Sequence, residues 1–154
     1  MATQNLIQRL DSANKETMNR AQYEYFLATS AITAGQTVSL DASKTDSDRA
    51  LYVVPADVDS TDTSFPVGIA FGAAAAGEKV KVCIGGYFEG ADVSGTTAKG
   101  SLLQIGSTAG RLEVRTTAVN EGGAATFNLF PIVALALEED DTNKADVYII
   151  NSFC

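Results

Sequence analysis

The chain has 154 residues, 45% of them hydrophobic, which is enough to bury the core of one domain without disulfides or metals. Its net charge of −8, with 11 basic residues scattered along the sequence, opposes contact with phosphate, so we expect no nucleic-acid partner. The cysteines Cys83 and Cys154 lie far apart and predict neither a disulfide framework nor a metal cluster, and the apolar runs are too short to span a membrane.

Residues 1–30 differ in composition from everything that follows. The first glycine is Gly35, and 12 of the 13 glycines lie between Gly68 and Gly123. Small and apolar side chains recur at the three- and four-residue steps of a helix stripe: Leu6, Leu10, Ala13, Thr17, Ala21 and Tyr25. Few of them are large, so a helix here needs another surface to lie on. We interpret 1–30 as a helical or extended arm, either partly disordered or ordered on a neighbouring subunit, and 31–154 as a β-rich domain.

Short strands separated by turn residues are predicted from residue 31 onward. The first lies within 31–40, a polar loop follows at 41–49, and a second strand at 50–54 ends before Pro55. The acidic loop at 57–62 lacks the glycine and the distal glutamate of a calcium loop, and the four carboxylates at 138–141 are typical of a solvated hairpin tip. We therefore expect no metal ion and no other cofactor.

The clearest predicted element is a β-hairpin at 65–90. In its second strand, apolar side chains alternate with Lys79, Lys81 and Cys83, which is the two-residue period of a half-buried strand. The loop of this hairpin obtains its flexibility from Gly77. Because Cys83 shares the face of the lysines, we expect it to be a half-exposed thiol.

The same pattern recurs 65 residues later. Residues 130–153 can be laid over 65–88 without a gap, with six identical pairs: Phe65/Phe130, Pro66/Pro131, Lys79/Lys144, Val82/Val147, Ile84/Ile149 and Phe88/Phe153. Either the two hairpins share only a pattern common in all-β proteins, or the domain has two related halves. In the second copy, 132–137 is apolar on both faces, which predicts a strand buried in a closed barrel or against a partner.

Between these hairpins, strands at 101–105 and 111–115 flank a glycine-containing turn. The summed elements predict a mainly β, compact, barrel-like domain of about eight short strands behind the N-terminal arm. The sequence has no histidine, no nucleophile elbow and no phosphate-binding glycine motif, and its carboxylates lie in polar loops. We therefore expect no enzymatic activity.

The stretch VGIAFGAAAAGEKVKVCIGGYFEG, followed by a glycine-rich loop and AKGSLLQIGSTAGRLEV, resembles the capsid cement, or decoration, proteins of tailed bacteriophages. In that family a Val-Gly-Ile-Ala strand, a Gly-Glu turn, a strand ending in a glycine and an aromatic residue, and a Lys-Gly pair before another strand recur. The resemblance covers residues 31–154. It implies a β-tulip or barrel-like fold similar to the lambda-type head-stabilising proteins, which are usually homotrimers at local threefold positions outside an expanded shell.

The expected function is that of a structural virion protein, made in the host cytoplasm, that binds the outer surface of an assembled capsid. It would stabilise the shell by bridging subunits of the major capsid protein, with no membrane involved. We expect the arm to bridge adjacent subunits and 132–137 to form a subunit interface or the inner barrel wall, through Leu6, Ile7, Leu10, Tyr23, Tyr25, Phe26, Ile132, Val133, Leu135 and Leu137. The alternative is a carbohydrate-binding or adhesive module of a virion surface.

Overall fold

The computed structural model describes residues 21–45, 47, 49–60, 62–63, 65–115 and 132–150. These residues form nine strands and one short 3₁₀ turn, so the predicted mainly β class is confirmed, with one strand more than expected. No helix in these ranges has the length and hydropathy of a membrane-spanning segment. The strands are β1 Gln22–Ala28, β2 Thr37–Leu40, β3 Tyr52–Pro55, β4 Pro66–Ala70, β5 Lys79–Ser94, β6 Leu102–Ile105, β7 Leu112–Val114, β8 Ala134–Ala136 and β9 Lys144–Ile149.

The nine strands form one sheet that closes into two rings. The first ring runs β1-β3-β2-β4-β5, and β5 pairs back onto β1. The second ring runs β5-β7-β6-β8-β9, and β9 pairs back onto β5. The 16-residue strand β5 therefore belongs to both rings, its first half in one and its second half in the other. Each described strand has a partner on both sides, which protects the sheet edges from pairing with other chains.

The second ring repeats the first in strand order and direction. Each ring contains one parallel pair, β1 with β3 and β5 with β7, and the other pairs are antiparallel. Leu27 pairs with Lys79 in the first ring, and Asp92 pairs with Lys144 in the second. Each residue of the second pair lies 65 positions after its equivalent in the first pair. Of the two alternatives for the recurring hairpin pattern, the strand order favours a domain with two related halves.

The gap-free overlay of the two hairpins holds for the later strand but not for the earlier one. Ala70 pairs with Val82, and Ala136 pairs with Val147, so Val82 and Val147 are equivalent at the expected displacement of 65. The same pairs make Ala70 and Ala136 equivalent, and these two residues are 66 positions apart in the sequence. The overlay therefore requires a one-residue gap in the loop. Phe130, Pro131 and Phe153 lie outside the described residues.

Each ring encloses its own apolar cluster. The first ring is filled by Phe26, Ala28, Ile32, Val38, Val53, Ala70, Ala74, Val80 and Val82. The second is filled largely by Phe88, Ala91, Val93, Leu103, Ile105, Leu112, Val133, Ala134, Ala136, Ala145, Val147 and Ile149. Burial of one large aliphatic side chain stabilises a fold by about 1.5–3 kcal/mol, so these clusters are the main stabilising contribution to both rings.

Two glycines have clear structural roles in the first hairpin. Gly77 adopts a φ of 85° in the loop between β4 and β5, where the Glu78 carboxylate accepts a hydrogen bond from the Ala75 amide at 2.8 Å. Gly68 lies in β4 against the backbone of β5, and a Cβ there would sit 2.1 Å from the Cys83 carbonyl oxygen. The turn predicted around Gly77 is therefore confirmed.

The end of the predicted helical or extended arm lies within the sheet, because residues 22–28 form β1 and pair with β3 and β5. Phe26 and Ala28 are buried inside the first ring and alternate with the exposed Tyr25, which is the strand period. Tyrosine and phenylalanine favour strands, and the backbone pairing of β1 with β5 and β3 outweighs a thin helical stripe. The β-rich unit therefore includes residues from 22 onward. The rest of the expected arm, 1–20, lies outside the described residues.

Candidate interaction surfaces

The structure places seven of the ten predicted interface residues, and they do not form one surface. Leu6, Ile7 and Leu10 lie outside the described residues. Three residues, Tyr23, Tyr25 and Phe26, lie on β1 in the first ring. The remaining four, Ile132, Val133, Leu135 and Leu137, lie on or beside β8 in the second ring. Any contact that they make with a partner remains a prediction.

On β1 the three predicted residues have different environments. Phe26 is buried in the first ring, so it packs inside its own domain. Tyr25 is 67% exposed and, with the neighbouring Leu27, Leu51 and Lys79, lines a shallow hollow of about 230 Å³. Of the predicted aromatic anchors, Tyr25 is the one presented to solvent.

Near β8, the apolar run at 132–137 splits between the inside and the outside of the second ring. Val133 is buried in the core together with the alanines at 134 and 136. Leu135 and Leu137 are half-buried on the outer side, and Ile132 is half-buried before the strand. In β8 the inward positions are those of the alanines at 134 and 136, and Leu135 between them faces outward. Any contact of Leu135 with a partner remains a prediction.

Leu135 is part of a row of apolar side chains on the outer face of the second ring. It pairs directly with Leu102 on β6 and with Tyr148 on β9, and directly opposed residues share one face of a sheet. Leu102 is 42% exposed and Tyr148 38% exposed. We call Leu102, Leu135 and Tyr148 the outer row. Leu102 and Tyr148 were not predicted, although the alternation of Tyr148 with the inward Val147 and Ile149 could have indicated an outward position.

A second candidate surface is a pocket of about 600 Å³ at the place where β5 passes from one ring to the other. Lys81 extends over two of the aromatic rings beside it, with its Nζ 4.1 Å from the ring centroid of Tyr23 and 4.6 Å from that of Phe71. These two rings also meet edge to face at 5.5 Å. We call this site the junction pocket; it is lined by Ala21, Tyr23, Ala34, Gly35, Phe71, Tyr87, Phe88, Glu89, Gly90 and Lys144.

Polar contacts fix the walls of the junction pocket. Lys144 on β9 forms an ion pair with Asp92 on β5 at 2.5 Å, across a pair of strands that already share backbone hydrogen bonds. Tyr87 donates its hydroxyl hydrogen to Asp146, whose other oxygen accepts the Gly90 amide at 3.0 Å. The hydrogen bond to Asp146, with burial, raises the pKa of Tyr87 to about 12. Because these contacts all join β5 to β9, they hold the second ring closed beside the pocket.

Cys83 is buried, which corrects the expected half-exposed thiol. The residue does lie on the outer face of the first ring, as the alternation indicated, but that face is covered, and Cys83 packs within the core cluster of the second ring. Burial raises the pKa of its thiol.

The acidic loops form no metal-binding group. In the described ranges, no group of three or more Asp, Glu, Cys or His side chains could hold an ion.

Comparison with known proteins shows similarity at the level of the fold. No family model and no curated protein matches the sequence. Among solved structures, the chain is similar to the N base of the head fiber protein gp8.5 of bacteriophage phi29, with a TM-score of 0.54 and 12% sequence identity. The match covers 86% of this chain and 96% of that one. At this identity the comparison shows a shared fold.

Proposed function

We propose that this chain is a structural protein of a phage virion that binds the outer surface of the assembled capsid and stabilises it by bridging major capsid protein subunits. The observation that carries the proposal is the similarity of fold to the phi29 head fiber N base over most of both chains. The resemblance of residues 31–154 to phage cement proteins supports the same class of protein on separate grounds, because it rests on sequence motifs.

A protein of this kind acts by burying surface against its neighbours. A stable protein contact buries roughly 1,600 Å² in total, and separation of the bridged subunits would expose that area again. If the protein binds the assembled shell and not the free subunits, it stabilises the shell by mass action. The two closed rings suit such a role, because the backbone pairing of the described strands is satisfied internally and contact is left to side chains and loops.

The segment before β1 is the proposed bridge between neighbouring capsid subunits. Leu6, Ile7 and Leu10 supply its large apolar side chains, and it joins the domain at Ala21 beside the junction pocket. Phe26 is removed from the proposed anchors because it is packed inside the first ring. In this proposal the rings provide a rigid base and residues 1–20 extend the area of contact.

The experiment mixes the purified full chain with expanded capsids that lack this protein. The capsids come from the phage that encodes it. We expect the chain to co-sediment with the capsids at a fixed copy number per shell. We also expect these capsids to release their DNA at a higher temperature than capsids without the protein. A matched variant that lacks residues 1–20 keeps β1 intact, so it should unfold at the same temperature as the full chain but be retained less well on heated capsids. Failure of the full chain to bind would refute the proposed function. Equal retention of the two forms would remove the segment from it.

The carbohydrate-binding alternative has its best location in the junction pocket, where aromatic side chains cluster. There, however, the Lys81 ammonium already lies over the rings of Tyr23 and Phe71, which leaves less aromatic surface for a stacked sugar. Capsid binding therefore remains the function that we propose.

A further inference from the structure

The outer row has an equivalent in the first ring. In the second ring, Leu102 on β6 pairs with Leu135 on β8, which pairs with Tyr148 on β9. In the first ring, the corresponding strands β2, β4 and β5 carry a row formed in the same way: Thr37 pairs with Ile69, and Ile69 pairs with Cys83. The two rows lie at matching places in two copies of one five-stranded unit.

The row in the first ring is covered by the second ring. Thr37, Ile69 and Cys83 are all fully buried, with 0% of their surface exposed. Ile69 and Cys83 belong to the same apolar cluster as the core of the second ring. The Thr37 amide donates a hydrogen bond to the carbonyl of Gly110, between β6 and β7, at 2.8 Å. Within this molecule, a row at this position is therefore the place where another copy of the five-stranded unit packs.

In the part of the chain that the structure describes, the outer row is partly exposed, although it is the more apolar of the two. Leucine, leucine and tyrosine stand where the first ring has threonine, isoleucine and cysteine. Leu102 and Tyr148 have about two fifths of their surface exposed, and large apolar side chains gathered at one solvent-facing place mark interaction surfaces. The chain presents at this position a surface of the kind that it buries elsewhere.

We propose that the outer row is a contact surface for a second copy of this chain. The second ring shows that a five-stranded unit of this same fold can cover such a row. Charge is consistent with this occupant: each copy carries a net charge of −8, and a contact through three uncharged side chains need not bring carboxylates together. The nearest carboxylate on β9, Asp146, is already engaged by Tyr87 and the Gly90 amide.

The test is the molar mass of the purified full chain in solution, measured by sedimentation velocity and light scattering over a wide concentration range. We expect a mass above the 16.1 kDa of one chain that rises with concentration. Leu102→Glu and Tyr148→Glu should each weaken association by at least about tenfold, because a carboxylate would be buried in the contact. Phe65→Glu is the control, since Phe65 is 55% exposed but lies outside the outer row.

Circular dichroism and thermal unfolding would establish that each variant is folded, with Leu102→Ser and Tyr148→Ser as milder replacements. A wild-type chain that stays monomeric at the highest concentration would overturn the proposal, as would row variants that associate like the wild type. Row variants with unchanged mass but weakened capsid binding would assign the row to the capsid protein and also overturn it. Because the mass measurement contains no capsid, its outcome is independent of the proposed function.

Discussion

Replacement of Gly68 by alanine tests how closely β4 lies against β5. The added Cβ would be 2.1 Å from the Cys83 carbonyl oxygen, 2.9 Å from the Cys83 carbonyl carbon and 2.9 Å from Cγ1 of Val82. The first two atoms belong to the backbone of β5 and cannot rotate away as the end of a flexible side chain could. Since β5 is held on both sides in each ring, the strain must be absorbed by separating β4 from it.

The size of the effect follows from this geometry. Overpacking of a well-packed core costs about 1–3 kcal/mol, and a clash with fixed backbone belongs at the upper end. For a domain of this length, 1 kcal/mol corresponds to about 2–4 °C in Tm, so Gly68→Ala should lower Tm by roughly 4–12 °C. The free energy of unfolding in urea should fall by about 2–3 kcal/mol.

Thermal and urea unfolding followed by circular dichroism would measure both quantities. Gly72→Ala is the matched control, because a Cβ at Gly72, just beyond the end of β4, would meet no atom within 4 Å. We expect that variant to be as stable as the wild type or slightly more stable, through its smaller unfolded-state entropy. A Gly68→Ala protein with wild-type stability would refute the reasoning, since it would show that the two strands can separate at little cost.

Two further predictions concern the groups with raised pKa values. Because Asp146 raises the pKa of Tyr87 from 10.0 to about 12, the stability that this contact contributes is present below pH 10 and is lost as the pH rises toward 12. Tyr87→Phe should therefore cost about 1 kcal/mol at pH 7 and flatten the loss of stability between pH 10 and 12 in urea unfolding; an unchanged alkaline slope would contradict this. In a Cys154→Ser background, Cys83 should react with a thiol reagent in urea but not in native buffer, because it is buried. Rapid labelling of the native protein would show that the face between the rings opens.

The strand pattern of the later residues could be read from the sequence because it is local. Alternation of lysines with valines at 79–82 is sufficient to indicate a half-buried strand, and a similar alternation of polar with apolar residues at 144–147 indicated the second hairpin. The identical Val82 and Val147 then proved to be equivalent positions in the two rings. Periodicity and repetition are properties of neighbouring residues, and they need no knowledge of distant partners.

The errors concern information that is not local. The sequence of β1 is compatible with a thin helical stripe and with a strand, and its pairing with β5, more than 50 positions away, decides between them. Alternation assigned Cys83 to the correct outer face, but the ring that covers that face is built from later strands. For the same reason the outer row could not be assembled from sequence, because its three members come from β6, β8 and β9.

The double membership of β5 has a mechanical consequence. The two rings are joined by an uninterrupted covalent backbone that is hydrogen-bonded along both of its halves. A load applied to one ring is transmitted to the other through this strand, and withdrawal of either half of the strand would open the ring to which that half belongs. The two rings should thus respond to tension as one mechanically connected unit.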